Sequence, residues 1–137
     1  MNSRIVFYTA AKTSYCEKTL RHCVAGLDVS VSGARFATDS KTLGEQLIAA
    51  FADCNMVFVI GGLGFTDRRC VKTILSNAAS RIQPDEIKRI KNEGGSDACL
   101  LRAGNQLLVL LPDEPEQLER LLKGLLAQYL RVFVKSA

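Results

Sequence analysis

The residues best suited to chemistry are Gly61-Gly62-Leu63-Gly64-Phe65-Thr66-Asp67-Arg68-Arg69, directly after the apolar run Met56-Val57-Phe58-Val59-Ile60. Gly61, Gly62 and Gly64 tolerate positive φ and let a ligand approach the backbone. Thr66 and Asp67 suit a helix start, whose free N–H groups would face the same point. Past the carboxyl end of a strand and against the amino end of a helix, such a loop binds anions in α/β proteins. Arg68 and Arg69 could contact a phosphate, and Asp67 could bind Mg²⁺ or cap the helix. The spacing is GGxG with no GK[ST] ending, so the loop is neither a dinucleotide fingerprint nor a P-loop. A tight turn without a ligand is the competing reading, and the loop alone does not separate the two.

Two further stretches could face it. Gly94-Gly95-Ser96-Asp97 is a second phosphate loop or a plain turn. In Leu111-Pro112-Asp113-Glu114-Pro115 the acidic pair could meet a metal or an amine; alternatively Asp113 caps the last helix with Pro115 in its first turn. Asp67, Asp113 and Glu114 are thus the candidate catalytic carboxylates. His22 is the single histidine and lies mid-helix, with nothing nearby to orient it as a base. Tyr15 could stack on a ring from beside the first loop.

Positioning these residues takes a series of elements. Arg4–Thr9 reads as a strand, and Thr13 or Ser14, with Glu17, as the cap of a helix reaching about Ala25. Asp28–Ser32 alternates like a half-exposed strand. Asp39 or Ser40 caps a helix with Leu43, Leu47, Ile48, Ala50 and Phe51 on its apolar stripe. The unbroken apolar run Met56–Ile60 marks a strand covered on both faces, hence a central parallel one. Asp67–Ala79 is helical in pattern, and Gln83-Pro84-Asp85-Glu86 starts another short helix. Ala98–Leu101 and Gln106–Leu111 form a hairpin around Gly104-Asn105. A last helix carries Leu118, Leu121, Leu122, Leu125, Leu126 and Tyr129, and Arg131–Val134 is an edge strand or a frayed tail. The order gives an α/β fold: three layers, a mostly parallel central sheet flanked by helices, with a C-terminal β-hairpin and helix.

The chain of 137 residues is read as one domain, 1–137. Its net charge of +4 is scattered, which argues against a nucleic-acid footprint. No apolar stretch is long enough to span a membrane and no signal profile opens the chain, so the expected location is the cytoplasm. Cys16, Cys23, Cys54, Cys70 and Cys99 are odd in number without a CxxC, which favours reduced, partly buried thiols over a disulfide framework or a zinc site. No metal site is expected from spacing.

From Asn55 through Thr66, with the Asp39 helix before it, the chain resembles the molybdopterin-binding domain of molybdenum-cofactor biosynthesis proteins and of competence/damage-inducible protein A. Gly94-Gly95-Ser96 and Leu111-Pro112-Asp113-Glu114-Pro115 fall in the order of that family's later glycine loop and LPGxP turn. The resemblance covers roughly Val29 to Leu126. It implies a molybdopterin-binding-like fold; with the reading of the residues above, a phosphorylated pterin or nucleotide would be bound by Gly61, Gly62, Gly64, Thr66, Asp67, Arg68, Arg69, Gly95, Ser96, Pro112 and Asp113. It further implies molybdopterin as cofactor or cargo, a place in making or handling the molybdenum cofactor, and a homo-oligomer, a trimer. The chain departs from the pattern at Phe65, where the family has proline, and at Arg68 and Arg69, where it has an acidic pair. Asp113 replaces the glycine of LPG, and Thr9-Ala10-Ala11-Lys12 replaces the motif after the first strand. Arginine cannot coordinate Mg²⁺, so the family's Mg²⁺ ligands are largely missing. The alternative is a catalytically degenerate member serving as an oligomerisation or partner-binding module. A third reading, by analogy with the damage-inducible relatives, is an enzyme of nucleotide-sugars or pyridine nucleotides.

Overall fold

The computed structural model describes residues 1–63 and 84–136. The expected helix Asp67–Ala79 lies outside them. The elements are β1 (Asn2–Tyr8), α1 (Thr13–Ala25), β2 (Ser30–Ala37), α2 (Ser40–Asp53), β3 (Met56–Ile60), β4 (Glu86–Ile90), β5 (Ala98–Ala103), β6 (Gln106–Leu111), α3 (Pro115–Leu122) and α4 (Leu125–Ser136).

The six strands form one sheet in the order β2-β1-β3-β6-β5-β4. The β2–β1, β1–β3 and β3–β6 pairs are parallel; β6–β5 and β5–β4 are antiparallel. β3 is central, as its apolar run implies, and all five of its residues are buried. The pleat sends alternate residues to opposite faces. Met56, Phe58 and Ile60 join Ile5, Phe7, Val109 and Leu111 beneath α1, α3 and α4, while Val57 and Val59 join Val6, Tyr8, Leu108 and Leu110 beneath α2. Those are the three layers. Among the described residues no helix is long and apolar enough to cross a membrane.

Local chemistry explains most boundaries. Asp39 caps α2 by accepting the Thr42 N–H at 2.7 Å. That hydrogen bond holds the Asp39 carboxyl below its usual range. Gly104, at φ 60°, turns the β5–β6 hairpin, with Ala103 paired to Gln106.

Three expectations need correction. First, the segment from Pro84 does not begin a helix: Glu86–Ile90 is a strand on β5. The Asp85 N–H donates to the Arg102 carbonyl at 2.8 Å, and the Asp85 carboxylate accepts the Gly104 N–H at 2.7 Å. Tertiary pairing thus overrides a charged local sequence, and those charges suit a sheet edge. Second, neither Thr13 nor Ser14 caps α1; Lys12 holds the cap position at φ 51° with no side-chain cap bond. Third, the last helix breaks at Lys123-Gly124, and Arg131–Val134 is helix rather than strand or tail. Leu126, Leu130 and Phe133 keep helical spacing toward the core while Val132 is 65% exposed.

Phe58→Ala should lower unfolding free energy by about 3–5 kcal/mol, the cost of emptying a core aromatic site. Val132→Ala should change it by less than about 0.5 kcal/mol. Urea denaturation followed by circular dichroism measures both, and similar midpoints for the two variants would contradict this core.

Candidate functional site

β1, β3 and β6 run parallel, so Thr9, Gly61 and Pro112, which follow them, emerge at the same end of the sheet. β4 runs antiparallel to β5 and β5 to β6, which brings the loop after β4 to that end as well. The result is a cleft of about 430 Å³ lined by Thr9, Gly61, Gly62, Leu63, Gly95, Ser96, Pro112, Asp113, Glu114 and Gln117. This is where open α/β sheets bind ligands.

Gly61 shows why the first wall needs glycine. Its φ is +103°, its N–H donates to the Leu111 carbonyl at 3.0 Å, and a Cβ there would collide with the Tyr8 carbonyl and lie 2.9 Å from Ala10 Cβ. Gly62 continues at φ 74°. Across the cleft, Ser96 Oγ donates to the Leu63 carbonyl at 3.3 Å, tying the second glycine loop to the first.

The third wall carries the acidic pair. Asp113 does not cap α3. Its carboxylate accepts the Ala11 N–H at 2.8 Å, and Glu114 accepts from Lys12 Nζ at 2.7 Å. The hydrogen bond to Glu114, then its charge, raises the Lys12 pKa. These contacts hold the Thr9–Lys12 loop, where Thr9 at φ 44° and Lys12 at φ 51° occupy the left-handed region. Beneath it lies buried Cys16. Burial, then the negative charges of Asp113 and Glu114, push its thiol up to about 11.

Of the sequence-read site residues, Gly61, Gly62, Gly95, Ser96, Pro112, Asp113 and Glu114 thus meet in one cleft. Gly64, Thr66, Asp67, Arg68 and Arg69, with Cys70, lie outside the described residues. Thr9, Leu63 and Gln117 also line the cleft and are not among the ligand-binding residues read from the sequence. Gln117 stands three residues past Glu114 in the first turn of α3, where a side chain points back toward the turn before it. Tyr15 is 69% exposed and absent from the cleft lining, and His22 is exposed. Cys16 packs in the core, in keeping with a structural thiol.

Among the described residues the donors do not fit Mg²⁺. Asp113 and Glu114 already serve an N–H and an ammonium, and among the described residues no three His, Cys, Asp or Glu side chains are grouped to hold a metal ion. A second hollow, about 320 Å³, lies at the opposite end of the sheet, and its polar groups satisfy one another. There Tyr129 donates to Glu86 at 3.3 Å, and Arg102 lies 3.7 Å from Glu86 and 3.8 Å from Asp85.

Gly61→Ala should destabilise the chain by about 1–3 kcal/mol through left-handed strain and the collision with β1. Gly26→Ala, in open space at negative φ, should not destabilise it. Thermal unfolding of the two variants checks this, and equal melting temperatures would refute it. Cys16 makes an alkaline prediction. Its folded pKa is raised, so the stability it contributes is complete below about 9 and lost as pH rises toward about 11. The melting temperature should fall across that window, and less steeply in Cys16→Ala. An unchanged slope would remove Cys16 from the account.

No protein-family model matches the chain, and no curated protein does. Solved structures do. A protein CinA of unknown function from Thermoplasma acidophilum superposes with a TM-score of 0.71 at 16% identity, over 93% of this chain and 96% of that one. The molybdopterin biosynthesis enzyme MoaB from Thermus thermophilus gives 0.64 at 17% identity, over 96% and 95%. A molybdopterin biosynthesis protein from Mycobacterium abscessus gives 0.69 at 13% identity, over 98% and 94%. At these identities the likeness is one of fold, and the chain has the fold that these CinA and molybdopterin-biosynthesis proteins share.

Proposed function

We propose that the chain binds a phosphorylated pterin of the molybdopterin type, or a nucleotide, in the cleft at the Gly61–Gly62 end of the sheet, and that it serves in making or handling the molybdenum cofactor. The carrying observation is the convergence of Gly61, Gly62, Gly95 and Ser96 on one cleft at the carboxyl ends of three parallel strands. Shared fold with molybdopterin-biosynthesis proteins supports the pterin. Glycine walls admit a flat ring or a phosphate close to the backbone. Within the described wall the acidic charge of Glu114 is met by Lys12, so the cations for a phosphate fall to Arg68 and Arg69 in this proposal. Binding is the activity that the described donors favour.

A catalytically degenerate module that works through self-association or a partner chain is the second reading. It is favoured by the engagement of Asp113 and Glu114 in holding the start of α1, which turns carboxylates that could have done chemistry into structural groups.

Isothermal titration with molybdopterin and with Mg-ATP separates the two. Binding of either, weakened at least tenfold by Ser96→Phe or by the Arg68→Ala/Arg69→Ala pair, supports the first. No heat from either ligand at millimolar concentration, with a concentration-dependent oligomer in sedimentation, supports the second.

A further inference from the structure

Glycine lets a ligand come close to the backbone, but it also leaves a wall with little shape of its own. Gly94 sits at φ +97° and Gly95 follows it, so the second wall of the cleft takes its form from bonds made by other residues. Two side-chain amides supply them. Asn92, just past β4 and only 5% exposed, donates from Nδ2 to the Ser96 carbonyl at 3.1 Å and to Gln117 Oε1 at 2.7 Å. Gln117, in the first turn of α3, donates from Nε2 to the Gly94 carbonyl at 3.2 Å. Both N–H groups of Asn92 are thus engaged, one with the loop and one with α3. Gly95 lies against the pair: a Cβ there would collide with Gln117 Oε1 and lie 2.9 Å from Asn92 Nδ2.

This amide bridge reaches all three walls. α3 begins directly after Pro112-Asp113-Glu114, so Gln117 ties the second wall to the third. Ser96 Oγ donates to the Leu63 carbonyl at 3.3 Å and carries the tie on to the first. As a source of stability the bridge is poor. Asn92 Oδ1 is buried and accepts no bond among the described residues. That penalty offsets much of what the two Nδ2 bonds contribute, and an apolar side chain of the same shape would not incur it.

We infer that Asn92 and Gln117 are positioning residues: they hold the Gly94–Ser96 wall in its binding form before the ligand arrives, and they act through that wall. This rests on the cleft being the ligand site and adds what keeps its glycine wall pre-formed, which lowers the ordering cost of binding.

The test uses the full chain with Asn92→Leu and Gln117→Leu combined, which removes both amides and the unpaired oxygen together. Without ligand, backbone order parameters from ¹⁵N relaxation at Gly94–Ser96 should fall from about 0.85 to below about 0.6, while those of β3 and β6 stay unchanged. The melting temperature should hold or rise. Isothermal titration with molybdopterin and with Mg-ATP should show affinity at least about tenfold below wild type, the cost of re-ordering about one backbone residue. Gln117→Leu alone, at a half-buried position, should move order and affinity in the same direction, and it keeps the test decisive if the double variant fails to fold. Unchanged order at Gly94–Ser96 overturns the inference even where affinity falls, since the loss then reports direct contact with the ligand. Affinity within about threefold of wild type also overturns it. So does loosening that extends through β3 and β6 with a lower melting temperature, the mark of a purely structural role. These three outcomes leave the cleft standing as a binding site, whereas wild-type protein that binds neither ligand overturns the inference and the site together.

Discussion

The structure depends on β3 being closed in on every side. Its two edges pair with β1 and β6, and its two faces are covered by α1, α3 and α4 on one side and α2 on the other. A strand so enclosed has no freedom at its end. The chain leaves β3 between the Tyr8 carbonyl and the Leu111 carbonyl, and Gly61 is the residue that fits this gap. Because the three parallel strands finish side by side, the loops that follow them share a rim. The cleft is what the sheet leaves over at its carboxyl end.

How much of this could be read from the chain depended on whether local chemistry or distant pairing decided the element. The apolar run of β3, the Asp39 cap and the Gly104-Asn105 turn carry their own signals, and each holds in the structure. β4 does not: Glu-Ile-Lys-Arg-Ile has no strand character until β5 supplies partners. The tail after Gly124 has β-branched residues, yet α4 forms because Leu126, Leu130 and Phe133 find the core at helical spacing. In the cleft, the glycines were legible because positive φ and close approach leave a compositional mark. Gln117 left none, since its place follows from a bond to Asn92, 25 residues earlier in the chain.

The acidic pair acts on several parts of the structure at once. Asp113 reaches the Ala11 N–H; Glu114 reaches Lys12. Together they stabilise a loop whose backbone twice enters the left-handed region without glycine. The same negative charges add to burial in keeping the Cys16 thiol protonated. One pair of carboxylates thus supports the rim, restrains a neighbouring loop and adds to the burial that raises the pKa of a core thiol.

The central place of β3 has a consequence for the order in which the molecule can be made. Its β1-facing edge is matched by a segment some fifty residues earlier, but its other edge waits for β6, which lies about fifty residues later. A chain emerging from its amino end therefore carries an apolar strand with one open edge through much of synthesis, the arrangement most prone to pairing with the wrong neighbour. The contacts of Asp113 and Glu114 span 102 residues each and must close after that. The rim of the cleft is thus among the last parts of the protein to acquire its shape.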